Sequence, residues 1–469
     1  MASARTMRRT AMNRILISLL FLAGCATQPA YERPAVELPA AWKESAPRFA
    51  QDGRWWSIYD DPQLNQLIEE SFKSNSDLLV AAARVDEARA LLGEAQSFFF
   101  PRVDGEFSRS RQQISQRTAT SFPGVPREFN SYRAAVEVSY EVDLFGRLAS
   151  SERAARAELE ASEASRDAVR LALAAQIAKS YFALRSFDEQ VDLTRRTLSL
   201  REEALGLQRK RREGGVIGDF EFRQLEAEVA AARAQLPNLE REREREEVAL
   251  SVLLGRSPRA VFESGISRKA SFDEGPGATV VPAGMPSELL LRRPDLVQAE
   301  RQLAAANARI SAARAEMFPS IGLTAVLGSE SQALRNLFSG PAAMWTLAAA
   351  VTQPIFAGGR LQARTEAAEA RERAALAQYQ QAIRSAFGEV RSALVAQARA
   401  RESFEAESAR AAALAETFRL ARLRYEAGIA SQLDILDAER GLLAARIARI
   451  EALRAQRAAV ADLFRALGG

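Results

Sequence analysis

The chain carries one sequence plan twice, and this duplication limits the folds open to it more than any other feature. Residues 77–101 align with residues 295–319 at an offset of 218 without a gap, and eight of the 25 positions are identical. Both stretches are rich in alanine and end in Phe-Pro. The repeat predicts two copies of one structural unit rather than two unrelated domains.

Later landmarks recur in the same order and at the same spacing. The motif Leu-Phe-Gly-Arg at 144–147 corresponds to Ile-Phe-Ala-Gly-Gly-Arg at 355–360. A glycine lies 68 residues after each terminal arginine, at Gly215 and Gly428. The predicted division is a first structural repeat over 63–254, a connector over 255–286 and a second structural repeat over 287–469.

Each repeat opens with the same local elements. A predicted helix, near 63–99 and again near 287–317, ends at Phe-Pro because proline cannot continue the helical hydrogen-bond ladder. Two strand-like segments then follow in each repeat. Between Tyr132 and Val142 apolar residues alternate with polar ones, which is the period of a strand with one apolar face.

Long helices come next. Residues 148–213 and 361–427 contain no proline, and their large apolar residues step by threes and fours. At 1.5 Å per residue, about 65 residues make a helix of roughly 100 Å, too long for a compact globule and suited to a coiled-coil-like tube. A glycine turn then reverses the chain, and a shorter helix returns near 219–254 and 431–466.

The first 24 residues read as an export signal. Four arginines and no acidic residue precede an apolar segment over 15–23, which is too short to span a bilayer. The segment ends in Leu-Ala-Gly before Cys25, which resembles a bacterial lipobox, and Ala26 follows in place of the usual inner-membrane retention aspartate. This predicts a lipoprotein signal peptide over 1–24, lipidation of Cys25 and a lipid-anchored extended arm over 25–62. An ordinary signal peptide that happens to end near a cysteine is the alternative.

The composition excludes several functions. There is no histidine and one cysteine, which removes most metal sites and the nucleophilic triads. Outside the leader the chain has as many acidic as basic residues, since 64 Lys and Arg minus the leader's four equals the 60 Asp and Glu. A neutral chain does not suit a nucleic-acid binder. We therefore expect no enzyme activity, no metal and no cofactor beyond the lipid on Cys25.

The strands predict an oligomer. No segment after the leader reaches 18 apolar residues, so any membrane crossing falls to β-strands in a closed barrel. Four strands cannot close such a barrel alone, and other copies of the chain must cover their edges. Two copies give eight strands and three give twelve, and a water-filled conduit favours three. The alternative on pattern alone is a periplasmic adaptor or structural lipoprotein with helical hairpins.

Several segments resemble the outer-membrane efflux factors of the TolC/OprM type, in particular the NodT-like lipoprotein branch. They are Trp55–Leu64, Gly284–Leu296, Ala305–Ile310 and Phe318–Ile321. The resemblance implies a mainly α-helical chain whose duplicated helical hairpins form an α-barrel. Four membrane strands per chain complete a trimeric 12-stranded transmembrane β-barrel in the outer membrane of a Gram-negative bacterium. It also implies docking with a periplasmic adaptor and an inner-membrane RND-type pump, and passive efflux of drugs or other small toxic compounds.

The resemblance extends to a periplasmic gate at the second helix hairpin. Asp434 and Asp437 match the gate carboxylates of that family, and Tyr425 matches the tyrosine of a latching hydrogen bond. The family's arginine in the Gly-x-Arg step is replaced by Ala430, which puts a latch through that arginine in doubt. The alternative for Asp434 is a capping box with Ser431, and both roles are compatible.

The first hairpin supplies the remaining site predictions. Glu221 lies at the position equivalent to Asp434 and is a candidate for the same acidic ring, with a solvated acid as the alternative. Gly215 and Gly428, one in each hairpin turn, are candidate docking points for the adaptor. A carboxylate-based cell-wall hydrolase is a further alternative, but the acids here lie mainly on long helices rather than in a pocket.

Overall fold

A computed structural model describes residues 34, 54–115, 127–263, 265–268, 272 and 292–469. Cys25, the signal peptide and residues 25–33 and 35–53 of the predicted arm lie outside the described residues, as does most of the connector. The extended-arm prediction is wrong for the end of the arm, where Trp55–Tyr59 form a 3-10 helix and an α-helix begins at Pro62. The helices in the described part are α1 (Pro62–Ser74), α2 (Ser76–Ser97), α3 (Arg147–Glu213), α4 (Asp219–Leu253), α5 (Pro258–Glu263), α6 (Pro294–Ala315), α7 (Arg360–Glu426) and α8 (Gln432–Leu467). The strands are β1 (Arg102–Gln113), β2 (Glu128–Val142), β3 (Ser320–Ser331) and β4 (Ala343–Thr352).

The long-helix prediction is confirmed. Helices α3 and α7 each contain 67 residues and begin at the arginines that close the two Phe-Gly motifs. The return helices α4 and α8 begin after the two glycine turns, at Asp219 and Gln432. Across the described residues, no helix combines the length and the apolar character needed to cross a membrane.

The predicted helix near 63–99 is wrong in one respect, because the structure has two helices there. Asn75 adopts an extended conformation between α1 and α2, and its side-chain oxygen accepts a hydrogen bond from the Leu78 amide at 3.1 Å. Its side-chain nitrogen donates to the Leu253 carbonyl at 2.9 Å. The asparagine side chain therefore replaces backbone bonds and starts a new helix. In the second repeat, α6 begins at Pro294, a first-turn position that proline tolerates.

The chain divides into two compact units. Among the described residues, the first unit contains residue 34 and those within Val85–Ser162 and Ala299–Tyr379, and the second contains those within Val36–Arg84, Glu163–Gln298 and Gln380–Gly469. The first unit holds the sheet.

The sheet has the order β1-β2-β3-β4, with every neighbouring pair antiparallel. The strands of the two repeats therefore form one sheet, because β2 of the first repeat pairs with β3 of the second. Gly328 allows the close approach at this junction, since a Cβ atom there would lie 2.3 Å from the Ala134 carbonyl oxygen. Within the described residues, β1 and β4 each have a strand neighbour on one side only.

One face of the sheet is apolar across all four strands. In register, Val103 lies opposite Val138, Val138 opposite Ala325, and Ala325 opposite Leu347. The opposite face carries Asp104 and Glu137 in register. Large side chains of the apolar face are strongly exposed: Val103, Phe107, Val136, Leu327, Trp345, Leu347 and Val351.

The second unit has a conventional hydrophobic core built around the segment Trp55–Leu64. Trp55 stacks on Phe464 with ring centroids 5.2 Å apart, and both tryptophans are buried. Asp61 caps α1 by accepting from the Gln63 and Leu64 amides, and it also accepts from the Tyr181 hydroxyl at 2.9 Å. The core holds the N-terminal segment against α3 and α8.

Candidate functional site

The two helix hairpins of the second unit have turns of the same type. In the first hairpin the Val216 amide donates to the Arg211 carbonyl at 2.8 Å, and the Gly215 amide donates to the Arg212 carbonyl at 2.9 Å. In the second, the equivalent bonds run from Ile429 to Arg424 at 2.8 Å and from Gly428 to Tyr425 at 2.9 Å. Both are Schellman motifs, which satisfy the last carbonyls of α3 and α7.

Each turn requires glycine for its backbone conformation and not for space. Gly215 has φ +71° and Gly428 has φ +75°, in the left-handed region that side chains with a Cβ disfavour. Nothing lies within 4 Å of a Cβ atom placed on either residue. The two glycines therefore form exposed turns whose surroundings are open.

Asp434 begins α8 as a cap. Its carboxylate accepts from the Ser431 amide and from the Ser431 hydroxyl, both at 2.7 Å, while its own amide donates to that hydroxyl at 3.3 Å. The Ser431 hydrogen bonds, and more weakly the charge of Arg424, lower the pKa of Asp434 below its ordinary value. The carboxylate is fully exposed and is charged at neutral pH. The structure thus contains the predicted capping box of Ser431 and Asp434, and the gate role of Asp434 stays a prediction.

Asp437 lies one helical turn further along α8 and is exposed. Glu221 occupies the first turn of α4, where the N-cap Gly218 has no side-chain hydrogen bond. All three acids therefore lie near the starts of the return helices α4 and α8.

Tyr425 joins the second hairpin to the first. Its hydroxyl accepts from the Gln208 side-chain nitrogen at 3.2 Å and from the Arg211 guanidinium at 3.3 Å. Both donors lie on α3. The sequence put the latch in doubt because Ala430 replaces the family's arginine. In this structure the guanidinium of Arg211, from the first hairpin, donates to the Tyr425 hydroxyl instead.

An ion cluster centred on a buried arginine lies further along the same helices. Arg201 of α3, whose side chain is 5% exposed, contacts Glu228 of α4 at 3.2 Å and Glu439 of α8 at 2.9 Å. Arg440 of α8 donates to the same Glu228, and this hydrogen bond raises the pKa of the Arg440 guanidinium. We call these four residues the tip cluster. It ties both helices of the first hairpin to the second hairpin.

No pattern in the sequence pointed to the tip cluster. Arg201 and Glu439 are 238 positions apart, and both stand among many other charged helix residues. No local pattern separates a buried pair from a solvated one. The family resemblance pointed to Tyr425, but nothing in the sequence pointed to its partners Gln208 and Arg211.

Among the described residues, no group of three or more carboxylate, histidine or cysteine side chains is arranged to hold a metal ion. The arrangement at the hairpin ends is one of exposed turns, exposed acids and contacts between hairpins, which suits a contact surface or a constriction.

Comparison with known families gives a match over most of the chain. The model of the family described as outer membrane efflux protein matches residues 67–256 and 285–469. Among curated proteins, the probable efflux pump outer membrane protein TtgC of Pseudomonas putida is 35% identical over 472 residues, covering 98% of this chain and 96% of the relative.

Solved structures agree in fold. The CmeC outer membrane channel of Campylobacter jejuni superposes with a TM-score of 0.86 at 26% identity, covering 95% of this chain and 94% of that one. The open-state MtrE outer membrane channel of Neisseria gonorrhoeae has a TM-score of 0.84 at 34% identity, covering 95% and 98%.

Proposed function

The chain belongs to the outer membrane efflux protein family, and on that premise we propose that three copies form the passive exit duct of a tripartite efflux pump. Its role as an outer-membrane efflux channel follows from the family and its relatives. The proposal adds the copy number, the partners and the residues that control passage.

The four-stranded sheet is the observation that carries this proposal. One face is apolar and exposed, the other bears carboxylates, and both edges are open within the described residues. Unpaired backbone groups are too costly in lipid, so a sheet of this kind enters a membrane only when its edges are covered. Three copies supply twelve strands, with apolar side chains towards lipid and polar ones towards an aqueous interior.

The anchor and the partners are the next part of the proposal. Cys25 carries the covalent lipid that holds the N-terminus in the outer membrane, consistent with the lipobox-like run before it. A periplasmic adaptor and an inner-membrane RND-type pump complete the assembly and supply the energy. Relatives are named for toluene, antibiotic or cation efflux. Drugs or other small toxic compounds are the proposed cargo of this chain, because six methionines and no histidine give no support to a dedicated soft-metal exporter.

The hairpin ends form the periplasmic gate in this proposal. Asp434, Asp437 and Glu221 contribute carboxylates from each copy to a ring around the opening, where they attract cations. Tyr425 and the tip cluster hold the second hairpin against the first and so favour the closed state.

Planar-bilayer recording tests the gate with two substitutions that remove charge and should disturb folding little. Asp434→Gln keeps a side chain able to complete the capping box while removing its charge, and Asp437→Asn removes the second charge. We expect the double variant to lose cation block and change its conductance. Glu402→Gln, which removes an exposed acid in the middle of α7, serves as the control.

Unchanged block and conductance in the double variant would show that these acids do not line the opening. Absence of any channel events in the unaltered protein would instead contradict the channel itself. That second result would favour the adaptor or structural lipoprotein.

The docking role of Gly215 and Gly428 has a separate test. Bulky residues at these turns would disturb the adaptor contact and lower drug resistance in cells. Channel activity of the purified protein should persist. Assembly and resistance that survive both substitutions would exclude the turns as docking points.

A further inference from the structure

The apolar face of the sheet becomes basic at the end of the strands that carries the β1–β2 loop. Successive side chains of a strand alternate between its faces, so Arg109 and Arg111 share the apolar face with Val103 and Phe107. In register, Arg109 lies opposite Tyr132 of β2. Both arginines follow the apolar residues of β1, and no other charged residue of β1 lies on this face.

The charges of the strands separate by sign between the two faces. Five of the six acidic residues in β1 to β4 lie on the face opposite the two arginines: Asp104, Glu106, Glu137, Glu141 and Glu330. The sixth, Glu128, lies on the apolar face and pairs with Arg111 at 2.8 Å. Arg109 forms no ion pair with any residue that the structure describes. These three residues therefore leave one uncompensated positive charge at the loop end of the apolar face.

Exposed aromatic side chains mark the opposite end of the strands. Phe100, just before β1, is 70% exposed, and Phe356, after β4, is 90% exposed. Nine positions separate Phe100 from Arg109 (109 minus 100). At about 3.3 Å per residue and a tilt of about 40°, they rise by roughly 23 Å, close to the ~25 Å apolar band of outer-membrane barrels. Trp345 of β4 is 72% exposed on the apolar face, as is typical of a tryptophan at a lipid–water boundary.

The proposed function places the Arg109 boundary in the outer leaflet. Helices α3 and α7, whose hairpins form the proposed periplasmic gate, follow the opposite ends of β2 and β4. The outer leaflet of such a membrane consists of lipopolysaccharide, a glycolipid that bears phosphate groups on its lipid A sugars. Guanidinium groups are complementary to phosphates, because each donates two parallel hydrogen bonds to phosphate oxygens.

The local geometry holds both guanidinium groups where a phosphate can reach them. The Cζ atom of Arg109 lies 5.6 Å from the centroid of the Tyr132 ring, which is a cation–π contact. Arg111 and its partner Glu128 have side chains that are 70% and 51% exposed, and such a pair is weak enough for a phosphate to compete with it. The two arginines are two positions apart on one face, so their Cα atoms are about 6.6–7 Å apart, within reach of one phosphate group.

We propose that Arg109 and Arg111 bind a phosphate group of the outer-leaflet glycolipid, whose acyl chains lie against the apolar face beside Phe107. Phe107 is 66% exposed and lies on the membrane side of both arginines. Tyr132 acts as a positioning residue for Arg109. The inference rests on the proposed function, since only that orientation brings the loop end of the face to the outer leaflet.

Lipid binding to the purified full-length oligomer tests the site. Lipopolysaccharide is titrated in detergent, and native mass spectrometry follows the bound molecules. For Arg109→Gln combined with Arg111→Gln, we expect the apparent affinity to fall at least roughly ten-fold, as for the loss of hydrogen bonds to a charged group. Arg133→Gln is the matched control, because it removes a guanidinium at a neighbouring level of β2 on the opposite face, and it should leave the affinity unchanged.

Two further lipids identify the group that is bound. Lipopolysaccharide without its lipid A phosphates should bind the unaltered protein as weakly as the intact lipid binds the double variant. Equal binding of the intact and dephosphorylated lipids would overturn the proposal, since the acyl chains alone would then account for it. Phosphatidylglycerol that binds as tightly, with the same dependence on both arginines, would overturn the assignment to the outer-leaflet glycolipid.

The variants supply the remaining outcomes. An unchanged affinity in the double variant, or an equal loss in Arg133→Gln, would contradict the site. Planar-bilayer recording separates these results from the channel itself. Unaltered protein that conducts but fails the binding tests contradicts the lipid site alone, whereas unaltered protein that does not conduct contradicts the proposed function.

The positioning role of Tyr132 has its own test in the same titration. Tyr132→Leu removes the ring that lies under Arg109 and should weaken binding, whereas Tyr132→Phe keeps the ring and should restore it. Tyr140→Leu, at the other end of the same face of β2, is the matched control. Equal losses for the two leucine variants, or no recovery in Tyr132→Phe, would exclude the positioning role.

Discussion

Replacing Arg201 with alanine should loosen the ends of the two hairpins more than any loss of a surface ion pair. The guanidinium is 5% exposed and contacts α4 through Glu228 and α8 through Glu439. It also donates to the Glu228 carbonyl at 3.1 Å. Without the guanidinium, the carboxylates of Glu228 and Glu439 lose a neutralising positive charge at a site that is largely shielded from water.

The size of the effect follows from burial. Breaking a fully buried pair by removing one partner costs about 3–5 kcal/mol. Here Glu228 keeps Arg440, and Glu439 is 21% exposed, so part of that loss is recovered. We therefore expect about 2–3 kcal/mol of lost local stability, which corresponds to a roughly 30- to 150-fold larger population of the locally open state.

Amide hydrogen exchange of the reconstituted protein measures this opening segment by segment. Protection should fall near Arg201, near Glu228 and in the first turns of α8, while the sheet should be unaffected. Arg233→Ala is the matched control, because it breaks an α3–α4 ion pair with Glu202 whose side chains are 67% and 44% exposed. Such a pair contributes about 0.2–1 kcal/mol.

Equal losses for Arg201→Ala and Arg233→Ala would refute the reasoning, because burial would then have no influence on the cost. So would a loss of protection spread evenly over the whole chain, since it would show that Arg201 stabilises the fold globally. Single-channel recording adds a functional readout: we expect more frequent openings for Arg201→Ala than for the control.

Three further expectations concern single positions. Hydrogen bonding lowers the pKa of Asp434, so its capping contribution to stability is present above the ordinary aspartate pKa of about 4 and is lost as the pH falls through the lowered pKa. The difference in melting temperature between wild type and Asp434→Asn should therefore be constant from about pH 5 to about pH 8 and vanish in strong acid. Gly328→Val should abolish the assembled oligomer on gels because the added Cβ would meet a β2 carbonyl oxygen at 2.3 Å, whereas Gly322→Val, with nothing within 4 Å, should assemble. Gly428→Ala should cost about 1–2 kcal/mol at its positive φ, while Gly388→Ala, inside α7, should stabilise by about 1 kcal/mol in the same melts.

The local elements of this protein were readable from its sequence. Proline after phenylalanine ended two helices, alternation marked β2, and proline-free periodic stretches became α3 and α7 within a residue of their predicted ends. The glycine turns were found for the same reason, since their conformation depends on a few neighbouring residues. All of these are effects of residues close together in the chain.

The pairing of distant segments was not readable in this way. The β2–β3 junction, the donors to Tyr425 and the tip cluster each join residues from different parts of the chain, and many charged or alternating residues compete for those places. Asn75 shows the same limit, because its second hydrogen bond goes to a carbonyl 178 positions away. The sequence by itself determined the duplicated plan of helices, strands and turns. Only the tertiary structure decided which of its polar and apolar side chains would meet, since burial and partner choice arise when the segments pack.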